Sequence, residues 1–394
     1  MVLTIITVFL LVASLKVVQY YRSRERNIVH QLQKRQEYLS QIWNQCFHAK
    51  FDHEESILEP KSQEGKELHH SPGTINKRRT QCKMGFIAQS GACVPCPQGT
   101  FALEQWITCI SLLSCAEIVE SVQIGTVLYT VGGWMFHAAR WNSYDVTYAQ
   151  FITSGDSQLV NIQRLMPHDN LLYLIGQCDL GEITQLLFAR NLEVLGRADQ
   201  LESILAQKTD CDHEFVRFRL AMDYVQTLAL LHSKETETLV LCNSHSLPLL
   251  LSQFLITEDL RLVLAAYNNL PVLNVSSNSL EAKVKCSRNE LKGDFIAPEQ
   301  RWPYQSSKVF NYAQQVGYTE KADIWKIPDV TQGLLNKKGD YQNVLDLLEV
   351  LHRKCKSLEP TSRPTAAQVL HKYQFIWKTL GFGTNKHCCD HTHI

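Results

Sequence analysis

Five cysteines, Cys82, Cys93, Cys96, Cys109 and Cys115, crowd into one stretch rich in Gly and Pro, in a chain with thirteen cysteines in all. Thiols at this density either hold zinc as thiolates or oxidise to disulfides in a compartment that permits it. Cys93-x-x-Cys96 opens a zinc pattern, but no second Cys-x-x-Cys or His pair follows at ribbon spacing, so the five are read as disulfide cysteines. His387, Cys388, Cys389, Asp390, His391 and His393 also have metal-ligand chemistry, yet they sit in a polar tail with no element to fix their geometry. Asn274-Val275-Ser276 is an N-glycosylation acceptor, of use only where the chain faces a secretory lumen. Trp134 and Trp141 have ring faces that could stack on a sugar, but tryptophans in strand patterns are read first as packing.

The elements that must position these groups fall in a definite order. Residues 2–15 are apolar, and Val17, Val18, Tyr20 and Tyr21 carry the run past Lys16. That length approaches the ~20 residues of a membrane helix, and no basic region precedes it as in a cleaved signal peptide, so 1–21 is read as a transmembrane anchor. Lys16, Arg22, Arg24 and Arg26 follow the run and by the positive-inside rule would keep the rest in the cytosol. The cysteines and the sequon favour the lumen, and they weigh more because long domains translocate despite flanking charge. Residues 22–80 are polar and charge-mixed, a stem or linker; 81–118 form the cysteine-rich segment; 119–383 read as globular; 384–394 are the tail. Strand-like runs at 123–129, 134–140, 146–151 and 171–176 precede helical periods at 214–232, 341–358 and 365–380, an α+β order with a small β-rich lobe and a large helical one. Lys+Arg and Asp+Glu are both 39 among 394 residues, so no basic field argues for nucleic acid.

Three landmarks then stand in protein-kinase order. Ala297-Pro298-Glu299 resembles the close of an activation segment, Asp323-Ile324-Trp325 the start of the long buried helix of the kinase C-lobe, and Ser362-Arg363-Pro364-Thr365 the late Arg-Pro motif. Kinases pair the charges at positions 299 and 363, since either one alone would be buried and uncompensated. The resemblance implies a bilobal kinase-like fold behind the anchor. Within kinases the chain resembles the protein O-mannose kinase family over roughly 94–380. The passages that carry it are Cys96-Pro97-x-Gly99-x-Phe101 … Cys109 … Cys115, Cys286 … Gly293-Asp294-Phe295-Ile296-Ala297-Pro298-Glu299-Gln300-x-Trp302-Pro303-Tyr304, and Asp323-Ile324-Trp325-Lys326-Ile327-Pro328-Asp329. Membership implies a single-pass type II protein of the endoplasmic reticulum membrane with its kinase-like domain in the lumen. It also implies ATP- and Mg²⁺-dependent phosphorylation of the 6-position of mannose in a GalNAc-GlcNAc-mannose O-glycan, carried by a glycoprotein of the α-dystroglycan type.

The sequence departs from that family where the chemistry should be. Phosphoryl transfer needs an oriented acceptor hydroxyl, a cation on the phosphates and carboxylates on Mg²⁺. Asn243 stands where the family has its catalytic Asp, and an amide cannot accept the acceptor's proton. Ala266 stands at the family's metal-binding Asp, and nothing from Ala265 to Asn269 is a carboxylate. Trp134 occupies the position of the family's phosphate-binding Lys, and no Lys occurs from Met84 to Gln207. The expectation is a pseudokinase that binds the glycan, its glycoprotein or an active paralogue, with no cofactor required; ATP and Mg²⁺ enter only if relocated groups retain the family activity. A cytosolic regulatory pseudokinase would require reduced cysteines and inverted topology.

Overall fold

The computed structural model describes residues 82–382 except 132, 153–162, 180–182, 190–193, 209–213, 234–236, 243, 268–269, 274–282, 305–307 and 336–341. The anchor, the stem, Asn243, Asn274 and the C-terminal tail lie outside the described residues. The chain divides into two compact units, residues 1–75 with 378–388 and residues 76–377 with 389–394. Of the first, only 378–382 are described; the second is the subject below.

The cysteine-rich stretch is too short and polar to hold itself by burial, and covalent links replace the missing core. Strands β1 (Phe86–Gln89) and β2 (Ala92–Pro95) form a hairpin closed by Cys82–Cys93. Cys96–Cys109 closes the next loop over the short pair β3 (Thr100–Phe101) and β4 (Ile110–Ser111). Ser114 then caps helix α1 (Cys115–Ser121), its backbone N–H donating to the Glu117 carboxylate at 2.8 Å. The odd cysteine, Cys115, bonds to Cys178, 63 residues on. A crosslink over that separation stabilises by about 4 kcal/mol in the chain-entropy picture.

Cys178 lies in the main sheet, whose strands are β5 (Val122–Val131), β6 (Trp134–Trp141), β7 (Tyr144–Ile152), β8 (Leu174–Asp179) and β9 (Ile183–Ala189). Their antiparallel order is β5-β6-β7-β9-β8. Strand β9 is absent from the strand-like runs in the sequence for a physical reason. It lies between β7 and β8, and its Ile-Thr-Gln-Leu-Leu-Phe-Ala has neither strict alternation nor an unbroken apolar run, because the adjacent Leu186, Leu187 and Phe188 are all buried. The cysteine-rich segment shares this sheet's core: Phe101, Leu113 and Ile118 pack with Trp141, Tyr148 and Ile175. Its approach to the sheet is close enough that Gly176 has no room for a side chain, since a Cβ there would stand 2.9 Å from Leu113 Cβ.

The remainder is mainly helical. Strand β10 (Val194–Arg197) leads through α2 (Leu201–Gln207) to α3 (Glu214–Leu231). Short pieces follow: β11 (Thr238–Leu239), α4 (Leu247–Leu251), the hairpin β12 (Phe254–Thr257) and β13 (Leu262–Leu264), and β14 (Val272–Leu273), which pairs with β11. Three helices complete it: α5 (Lys321–Leu335), α6 (Gln342–Cys355) and α7 (Ala366–Thr379). Helix α5 is buried nearly all round, with Ile324, Ile327, Val330 and Leu334 at 0% exposure, so it lacks the one-sided apolar stripe that marks α6 in the sequence. A strand-rich half followed by a helical half is a mixed α/β arrangement consistent with a kinase-like fold. No helix among the described residues is long and apolar enough to cross a membrane.

Candidate active site and its supports

The backbone on either side of position 243 is held from several directions. Asp323, at the start of α5 and 1% exposed, accepts the Leu241 N–H at 3.0 Å, and its other contact is His232 Nε2 at 3.2 Å. One turn along α5, the ammonium of Lys326 donates to Ser244 Oγ at 2.6 Å, and that hydroxyl donates to Leu241 O at 2.7 Å. Burial pushes the Lys326 ammonium down to about 8, because the Ser244 hydroxyl and the nearby Asp323 and Glu299 carboxylates only partly replace the water it loses. Gln253, just before β12, donates to Cys242 O at 3.1 Å. A fourth disulfide, Cys242–Cys286, ties this stretch to the segment that leads to Ala297-Pro298-Glu299.

That segment is anchored in turn. Arg363 grips Glu299 through two parallel bonds, Nη1 to Oε1 at 2.6 Å and Nη2 to Oε2 at 2.8 Å. The same guanidinium donates to Lys321 O at 2.8 Å and Ser357 O at 2.9 Å, and it lies 5.0 Å from the Trp325 ring centroid. The structure therefore brings Glu299 and Arg363 together from 64 residues apart.

The other candidate positions are buried and apolar. Ala266 is 1% exposed, and its N–H, like that of Ala265, points to Gln253 O. Tyr267 follows at 0% exposure, its hydroxyl donating to Leu172 O at 3.2 Å. Trp134 is 1% exposed and stacks on Phe151 with centroids 5.1 Å apart. Beside it runs a continuous aromatic series: Tyr129 meets Phe136 at 4.9 Å, Phe136 meets Phe188 at 6.2 Å, and Phe188 meets the Tyr267 edge at 5.9 Å. The series crosses from β5 through β6 and β9 to the residue after Ala266. Next to it a cavity of about 420 Å³ is lined by Leu128, Tyr129, Thr147, Val194, Gly196 and Arg197 among others. The cation at its edge is committed: Arg197 donates to Asp199 at 2.9 and 2.6 Å and to Thr130 O at 3.3 Å.

A Mg²⁺ ion requires hard oxygen donors, usually including a carboxylate. Ala265, Ala266 and Tyr267 do not fit it, and the described residues include no cluster of three or more His, Cys, Asp or Glu able to hold a metal. The disulfide candidates Cys82, Cys93, Cys96, Cys109 and Cys115 are all bonded, the last to Cys178.

No family model matches the chain. Proteins named Protein O-mannose kinase do: that of Homo sapiens is 35% identical over 294 residues, 72% of this chain and 81% of its own length. That of Xenopus laevis is 37% identical over 294 residues with the same coverage, and that of Gallus gallus 31% over 291 residues, 72% of this chain and 80% of its own. This chain belongs to the protein O-mannose kinase family. As a protein O-mannose kinase relative it has a frame that sequence reading left out. Lys326 carries no contact signal in the sequence, because its partner Ser244 lies 82 residues earlier. Cys178 and the Cys242–Cys286 pair were not separable from the other cysteines by spacing. Gln253 carried no signal at all, being one amide before an apolar run.

Proposed function

We propose that this member of the protein O-mannose kinase family is a pseudokinase, which binds the O-mannosyl glycan, the glycoprotein that bears it or an active paralogue without efficient phosphate transfer. The observation that carries the proposal is the interior around Ala266: an alanine at 1% exposure, followed by a buried tyrosine that meets the Phe188 ring edge to face, in the position the resemblance assigns to the family's metal ligand. Neither methyl nor phenol replaces a Mg²⁺-bound carboxylate. The family implies ATP and Mg²⁺ for its active members and a glycoprotein as substrate. Retained activity through relocated groups is favoured by one fact, the intact frame on both sides of position 243. The deciding assay incubates the purified protein with ATP, Mg²⁺ or Mn²⁺, and the GalNAc-GlcNAc-mannose trisaccharide. No phosphate at the mannose 6-position is expected, while turnover approaching that of an active relative would overturn the proposal.

We also propose a lumenal setting in the endoplasmic reticulum, with 1–21 as the anchor and an α-dystroglycan-type carrier as the partner. The support is four disulfides among the described residues, a number that a reducing cytosol does not sustain. Glycosidase treatment of the protein expressed in cells should raise its mobility, and Asn274→Gln should remove that change. A chain that is unglycosylated and whose cysteines react with alkylating reagent before reduction would place it in the cytosol.

A further inference from the structure

The segment that leaves the Cys242–Cys286 disulfide presents a cationic face in a chain of zero net charge. Between residues 283 and 321 the carboxylates are mostly committed: Glu290 pairs with Lys292 at 2.9 Å, Asp294 lies 3.8 Å from Arg301, and Glu299 is held by Arg363. Glu320 is the one other carboxylate there. Lys283, Lys285, Arg288 and Lys308 have no acidic partner among the described residues.

Two of these ammonium groups are fixed in place. Lys285 donates to Tyr312 O at 3.3 Å and lies 5.3 Å from the Tyr312 ring centroid, and Lys308 lies 4.4 Å from that of Tyr304. Beneath Tyr304, Trp302, 4% exposed, donates to Lys308 O at 2.9 Å and meets the rings of Tyr304 and Phe310 at 4.9 and 5.3 Å. Exposed apolar side chains stand in the same segment, beside exposed Asn311 and Gln314: Val309 is 92% exposed, Val316 46%, and the two tyrosines about 40%. A sugar binds by stacking on an open aromatic face, and here a lysine sits over each of these tyrosines. An extended polypeptide with carboxylates and aliphatic side chains matches both the unopposed cations and the exposed valines of this segment.

We infer that this face docks an acidic, partly aliphatic stretch of polypeptide. Resting on the glycan-binding reading above, that stretch belongs to the glycoprotein whose O-mannosyl glycan meets the site at position 243, one residue from Cys242. The disulfide places the two recognition elements side by side, the sugar on one strand of the crosslink and its peptide carrier on the other.

The test measures binding of the full chain to three probes: a short synthetic peptide rich in Asp, Glu and Val, the same peptide with Lys in place of the acids, and the free trisaccharide. The acidic peptide should bind, weaken as salt rises, and lose at least roughly tenfold in affinity in Lys285→Glu/Lys308→Glu. Because both lysines touch tyrosines, Lys283→Glu/Arg288→Glu provides a second variant at exposed positions, with a smaller loss expected. Equal binding of the basic peptide, or acidic-peptide binding that neither variant weakens, overturns the inference. Trisaccharide binding without acidic-peptide binding overturns this inference and leaves the glycan reading standing. Acidic-peptide binding without trisaccharide binding supports the docking face and overturns the glycan reading.

Discussion

Arg363→Ala is expected to destabilise the folded protein by about 3–5 kcal/mol, the cost of breaking a buried ion pair by removing one member. The Arg363 side chain is fully buried, and Glu299 is 19% exposed, so the carboxylate left behind recovers only part of its hydration. Two further acceptors, Lys321 O and Ser357 O, lose their donor at once, and the Trp325 ring loses the guanidinium beside it. Arg363→Lys should also destabilise, because a single ammonium cannot make the two parallel bonds at 2.6 and 2.8 Å together with those to the carbonyls. Urea titration of the two variants against the parent reads the effect directly. A midpoint unchanged in Arg363→Ala would mean that the pair contributes nothing to stability, and that Glu299 and its segment are held by other contacts.

The second large effect is an absence of rescue. On the proposed pseudokinase reading, Asn243→Asp is expected to produce no measurable phosphate transfer, although it puts a carboxylate where the resemblance implies the family's catalytic Asp. Loss of one catalytic group typically leaves a slow enzyme, because positioning still contributes. On the proposed pseudokinase reading the metal ligand and the phosphate cation are missing too, and a carboxylate at 243 restores neither. Ala266→Asp in addition would supply an oxygen donor, but it would place a charge at a position 1% exposed beside Gln253 O, an acceptor rather than a donor. Trp134→Lys would bury an ammonium where a ring now stacks on Phe151. ATP·Mg²⁺ at millimolar concentration should therefore shift the thermal midpoint little; a ligand present at a hundred times its Kd would add about 2.7 kcal/mol. A clear nucleotide-dependent shift, with mannose phosphate formed by the single variant, would show that metal and phosphate contacts exist elsewhere in this chain.

Much of the protein is legible along the chain because the signals are contiguous. Ala297-Pro298-Glu299, Asp323-Ile324-Trp325 and Ser362-Arg363-Pro364-Thr365 are each a few adjacent residues, and their order places the chain among kinases before any contact is known. Helices α6 and α7 are visible as apolar periods, since one face of each meets solvent and the other the interior, while α3, with no exposed residue, is visible as one long apolar stretch. Helix α5 is buried nearly all round and strand β9 lacks strict alternation, so neither pattern carries a clear period.

The sequence by itself determined the family, the disulfide chemistry of the cysteine-rich segment and the residue types at positions 134, 243 and 266. All of these depend on the identity of residues at short spacing. Tertiary structure alone decided which cysteine closes on Cys115, that Lys326 meets Ser244, and that the rings of Tyr129, Phe136, Phe188 and Tyr267 form one series. It alone decided that Lys283, Lys285, Arg288 and Lys308 keep their charge unopposed among the described residues while neighbouring carboxylates are taken up. The physical reason is common to these cases. Such pairings join groups tens of residues apart, and the strand register and helix packing that bring them within 3 to 6 Å are a property of the whole fold, to which no local stretch of sequence refers.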